Sequence, residues 1–159
     1  MSKDLNYLYS EKEERLNVLT HAFGLLSSCI ALPLLIYKSL DYGGFWKPAS
    51  LVIYGVSLIV LYAASTFYHA AKEPKQRRKL NILDHAAIYV LIAGTYTPFT
   101  LIILSGSLGW YIFIFTWTFA LIGIVLKLFY TGRFEKISTI MYVIMGWQII
   151  FAINPLTEK

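Results

Sequence analysis

The chain has 159 residues, of which 57% are hydrophobic and only 14% charged, with a net charge of +5. A water-soluble domain carries roughly 25% charged residues to keep its surface wet, so most of this surface must face lipid. The basic residues sit in short segments between apolar runs, not in a patch on a polar element; this excludes nucleic acid as the partner and points to anionic membrane lipids.

The first fifteen residues mix both charge signs without an early apolar core, so no cleavable signal peptide is expected. Crossing the hydrocarbon core as a helix takes about 20 mainly apolar residues. Five segments qualify: about Asn17–Tyr37, Pro48–Ala70, Ile82–Leu104, Trp110–Phe129 and Ile137–Ile153, the last being the shortest. The segments are continuously apolar and do not alternate with period two, which excludes a β-barrel. The predicted fold is therefore an all-α, polytopic membrane bundle of five helices. Residues 17–153 form its single transmembrane domain, between a tail at 1–16 and a short tail at 154–159.

Orientation follows from Lys and Arg by segment. The N-terminal tail and the second and fourth connections hold eleven of them, and the opposite side holds three. That asymmetry predicts a multi-pass protein of the plasma (inner) membrane with a cytoplasmic N-terminus. Tyr37, Tyr42, Phe45, Trp46, Trp110 and Tyr111 fall where aromatic anchors at the outer interface belong. Cys29, the one cysteine, lies within an apolar run and reads as a small packing residue.

Polar groups inside the spans are the informative ones, because a membrane excludes them unless they are paired or used. Ser65 and His69 are four residues apart near the end of span two and share a helix face. Asp84 and His85 open span three, and His21 lies near the start of span one. With the orientation above, all three histidines of the chain fall at one depth in the inner leaflet. Each residue also has a plainer role. Asp84 would N-cap span three after Asn81, His85 would reach to the interface, His21 would either do the same or bond a neighbouring helix, and Ser65 would be a small packing residue. His69 with Ser65 one turn away is harder to assign to packing, since a buried imidazole wants a partner, and metal ligation and acid–base work are common uses. Further along, Pro98 should kink span three, with nearby threonines satisfying the freed carbonyls, while Gly146 and Trp147 read as packing and anchoring.

Ser65-x-x-x-His69, then Asp84-His85-Ala86-Ala87-Ile88-Tyr89 and Ile92-Ala93-Gly94-Thr95-Tyr96-Thr97-Pro98-Phe99, resembles the hemolysin III family of bacterial membrane proteins. That family groups with the progestin and adiponectin receptors and, more distantly, the alkaline ceramidases. Glu14…Asn17…Thr20-His21 and Tyr142…Met145-Gly146-Trp147 extend the resemblance from about Glu13 to Pro155. It implies a seven-span bundle with an intramembrane zinc site on the cytoplasmic side, so this sequence would lack the last two spans. By that resemblance His69 is a zinc ligand, Asp84 holds a zinc-bound water, and Ser65 hydrogen-bonds beside them; the implied chemistry is hydrolysis of lipid amides or esters. The family's other two ligands come from an HxxxH pair near the C-terminus, which these 159 residues do not contain; His21 and His85 are the remaining candidates. Two other expectations stand beside the hydrolase. One is a non-enzymatic membrane-homeostasis or pore-forming (haemolytic) protein that buries an uncovered face by homo-oligomerising. The other is an inactive fragment.

Overall fold

The computed structural model describes residues 9–40, 44–104, 106–130 and 135–152, and among them every regular element is helical. The order is α1 (Glu11–Leu40), α2 (Trp46–Ala70), α3 (Pro74–Pro98), a π-helical segment (Phe99–Leu104), α4 (Gly106–Tyr130), α5 (Glu135–Trp147) and a 3₁₀ turn (Gln148–Ala152). α1, α2, α3 with its π-helical extension, and α4 are long and apolar enough to span a bilayer. α5 has 13 residues and covers about 20 Å at 1.5 Å per residue, short of the roughly 30 Å of hydrocarbon. The predicted end of the fifth span, Ile153, and the predicted anchor Tyr42 lie outside the described residues.

Helix starts are written locally. Ser10 and Glu13 form a reciprocal cap: Glu13 N–H donates to Ser10 Oγ at 3.3 Å, and Ser10 N–H donates to Glu13 Oε2 at 2.7 Å. Those bonds hold the Glu13 carboxyl, ahead of the apolar run, below its ordinary value, the backbone bond contributing most. α3 starts at Pro74, with the Glu73 carboxylate accepting from Gln76 N–H at 3.1 Å. This corrects two expectations. The residues from Lys75 to Lys79, predicted as loop, occupy the first turns of α3. Asp84 then lies nearly three turns inside the helix, so it is not an N-cap.

The helices pack in chain order, α1 on α2, α2 on α3 and α3 on α4, with α5 returning against both α4 and α3. Their interfaces are small and hydroxylated while the large apolar residues point outward, the arrangement lipid favours. Ser50, Ser57 and Ser65 are buried along one face of α2, whereas Leu19, Phe23, Leu26, Ile30 and Leu34 of α1 are exposed. A Cβ on Gly94 of α3 would fall 2.1 Å from Ser57 Oγ, so glycine is what allows α2 and α3 their approach. Cys29 is exposed on α1 and does not pack as expected.

α5 is tied to α3 by three tyrosines. Tyr89, fully buried, donates to Ser138 O at 3.2 Å; Tyr142 donates to His85 O at 2.9 Å; and Tyr96 donates to Gly146 O at 2.7 Å. Gly146 is otherwise open, since a methyl added there would meet nothing within 4 Å, so it supplies a carbonyl and not the close packing predicted for it. At Pro98 the expected disruption takes a definite form. Pro98, which has no N–H to donate to Gly94 O, is the last residue of α3, and the chain continues directly as the π-helical segment. The threonines near it bond other carbonyls than that of Gly94, which loses its donor at Pro98: Thr97 donates to Ala93 O at 2.8 Å, and Thr100 to Tyr96 O at 2.9 Å.

Candidate functional site

The short α2–α3 connection brings the last turn of α2 and the first turns of α3 to one end of the bundle, beside the N-terminal turns of α1. Each of these three helices places polar side chains there, at spacings that follow from helical geometry. Residues seven apart share a face, which pairs Glu14 with His21 on α1 and Arg77 with Asp84 on α3; Ser65 and His69 do the same on α2 at four apart.

Two bonded groups result. In the first, the Ser65 hydroxyl donates to Asp84 Oδ1 across the α2–α3 interface. Ser50 and Ser57, on the same face, donate instead to their own helix at Lys47 O and Tyr54 O. Ser65 is thus the member of this buried series that leaves its helix for a carboxylate, which a residue kept only for its small size would not need to do.

In the second group, Glu14 bridges two helices. Its Oε2 lies 2.7 Å from His69 Nδ1, and its Oε1 accepts from the Arg77 guanidinium. Both ion-pair partners of Glu14 are largely shielded, with side chains about 10% exposed. Arg77 also donates to Ala71 O at 3.3 Å and lies over the Tyr68 ring, 4.7 Å from its centroid. A cation at the carbonyl end of α2 is stabilised by the helix dipole as well as by these bonds. The His21 and His69 rings are parallel within 2°, their centroids 5.5 Å apart.

Of the five residues singled out from sequence, the fold joins Ser65 to Asp84 and stacks His21 on His69. His69 and Asp84 make no direct hydrogen bond. A cleft of about 800 Å³ at this end is lined by Glu14, Arg15, Val18, Leu19, His69 and Arg77 among others; Asp84 is not part of its wall. His85 stands apart: its Nδ1 bonds to Asn81 O at 2.8 Å on its own helix. Sequence reasoning missed Glu14 and Arg77 as site residues, counting one as tail and the other as a loop charge. The seven-residue spacings to His21 and Asp84 were the available signal.

Catalytic zinc usually takes three protein ligands and keeps an open position. Among the described residues no three His, Cys, Asp or Glu side chains converge in that way. Glu14 is committed to Arg77 and His69, and Asp84 to Ser65. These residues on their own therefore do not fit a catalytic zinc.

Residues 9–159 match the protein family described as Haemolysin-III related. The chain is 48% identical over 148 residues to Hemolysin-3 of Bacillus cereus, covering 93% of this chain and 68% of that protein. It is 46% identical over 149 residues to the Hemolysin-3 homolog of Bacillus subtilis (strain 168), covering 94% and 70%. The human monocyte to macrophage differentiation factor is 26% identical over 151 residues, 92% of this chain and 62% of that protein. No solved structure matches the chain.

Proposed function

The chain belongs to the Haemolysin-III related family, and from that premise we propose that it is a multi-pass membrane protein whose working centre is the polar layer at the α2–α3 end of the bundle. The proposed chemistry is hydrolysis of lipid esters or amides at the cytoplasmic face. The observation that carries this reading is the Ser65–Asp84 bond beside His69: a carboxylate and an imidazole at one depth, each held by a second side chain. In this reading Ser65 orients Asp84, and Asp84 accepts a hydrogen bond from the attacking water. His69 supplies a lone-pair nitrogen, the feature that either proton abstraction or metal ligation requires. A zinc held at this layer would have His69 as one donor and would need its further donors from outside the described residues.

The eleven-to-three distribution of Lys and Arg supports placing this layer on the cytoplasmic side of the plasma membrane. The test is turnover in reconstituted vesicles. Purified protein is offered fluorescent acyl-ester and acyl-amide lipids, and fatty acid release is followed for the wild type, Ser65→Ala and Asp84→Asn. Release by the wild type that Asp84→Asn abolishes supports the proposal. A wild type without turnover, or an Asp84→Asn variant that matches it, refutes the hydrolase.

A second reading rests on a different observation. The exposed apolar stripe of α1, Leu19-Phe23-Leu26-Ile30-Leu34, would serve a non-enzymatic protein that self-associates in the bilayer. It expects cross-linked dimers or larger species in membranes, with Ser65→Ala and Asp84→Asn leaving function intact.

A further inference from the structure

Glu14 is an uncomfortable residue for its position. It is 8% exposed, in the N-terminal part of a helix whose next turns face lipid, and a carboxylate taken out of water is costly unless fully paired. Each of its oxygens has one partner: Oε1 holds the Arg77 guanidinium and Oε2 holds His69 Nδ1. Arg77 cannot easily follow a moving carboxylate, because it is itself fixed to Ala71 O and lies over Tyr68. The ring of His69 is flanked on one side by the parallel His21 and approached by Tyr68, with centroids 4.7 Å apart. Its orientation is thus set by α1 and by its own helix, with Arg77 of α3 acting through Glu14.

We propose that Glu14 is the positioning residue of His69. By accepting the Nδ1–H bond it fixes that tautomer, so the lone pair resides on Nε2, and Arg77 holds Glu14 in place to do so. This rests on the reading of His69 as a working imidazole, and adds to it a carboxylate–histidine pair anchored by arginine. A carboxylate behind an imidazole both fixes the tautomer and raises the basicity of the far nitrogen. A purely structural ion cluster clamping α1 to α2 and α3 would need the charges but not a defined ring tautomer. That difference gives the test.

The full 159-residue chain is labelled with ¹⁵N-histidine in micelles, and the His69 ring nitrogens are assigned by comparison with His69→Ala at a pH where the ring is neutral. The wild type is expected to show a protonated Nδ1 and a bare Nε2. Glu14→Ala is expected to move the proton to Nε2. Because that variant leaves Arg77 buried without its carboxylate and is prone to unfold, the double variant Glu14→Leu with Arg77→Met removes both charges and keeps the volume. It is expected to fold and to show the same shift. Glu14→Gln keeps its amide oxygen on Arg77 and turns its NH2 towards His69 Nδ1, so it is expected to move the proton to Nε2 as well. A bare Nδ1 in the wild type, or a protonated Nδ1 persisting in the folded double variant, overturns the proposal. In the vesicle assay, the folded double variant is expected to lower kcat by about 10–100-fold with KM little changed. The tautomer result stands without turnover, so an inactive wild type with the expected ring state sinks the hydrolase and leaves the positioning role intact.

Discussion

Replacing Gly94 with alanine tests the packing on which the polar layer depends. The added methyl would lie 2.1 Å from Ser57 Oγ and 2.5 Å from Ser57 Cβ, against an ordinary contact of 3.4 Å or more. Ser57 cannot swing away, being 1% exposed and bonded to Tyr54 O at 2.6 Å. α2 and α3 must therefore part by about 1 Å at this crossing, and overpacking of this kind costs about 1–3 kcal/mol. Gly146→Ala provides the contrast. A methyl there meets nothing within 4 Å, and replacing a helical glycine gains up to about 1 kcal/mol. The two substitutions share one chemistry and should have opposite signs. Unfolding by SDS titration in mixed micelles, followed by tryptophan fluorescence, measures both. Combining Gly94→Ala with Ser57→Gly removes the obstructing side chain and should recover most of the loss, giving a coupling well outside experimental error. A Gly94→Ala protein as stable as the wild type, or one that Ser57→Gly does not relieve, would show that these helices do not meet as described.

Other outcomes follow from single contacts. Tyr89→Phe removes the hydroxyl bond to Ser138 O and should cost about 0.5–1.5 kcal/mol in the same titration, with faster amide exchange confined to α5. Arg77→Ala leaves Glu14 buried without its cation and should cost about 3–5 kcal/mol, whereas Arg78→Ala on the exposed side of α3 should change stability little. In a Cys29→Ser background, Lys72→Cys should react with a membrane-impermeant maleimide in inside-out vesicles and not in intact cells. Reaction in intact cells would reverse the proposed orientation.

Composition and run length made the fold class readable. Fifty-seven per cent hydrophobic residues in long uninterrupted runs have few alternatives to spanning helices. Helix starts were less readable, because Glu73-Pro74 is a strong local signal that sits among charges, where hydropathy places a loop. The same bias hid Glu14 and Arg77. A charged residue beside a membrane span is by default a wetted one, and only the approach of three helix ends reveals that these two face each other. The Ser65–Asp84 pairing was legible as proximity from the short α2–α3 connection. That Ser65 bonds across the interface, while Ser50 and Ser57 bond within their helix, depends on local side-chain geometry that spacing does not encode.

The π-helical segment after Pro98 has a mechanical consequence. Past it, the α4 backbone at Gly109 comes so near Thr100 that a methyl there would sit 2.2 Å from the Thr100 carbonyl oxygen, main chain against main chain. At the other end of α3 the joint is to α1 and α2, and it is made of ionisable side chains, Arg77 meeting Glu14 and Glu14 meeting His69. α3 with its extension is therefore held in two different ways, by main chain against α4 at one end and by charge against α1 and α2 at the other. An ion or ligand competing for Glu14 meets side chains, whereas the α4 contact presents main chain alone.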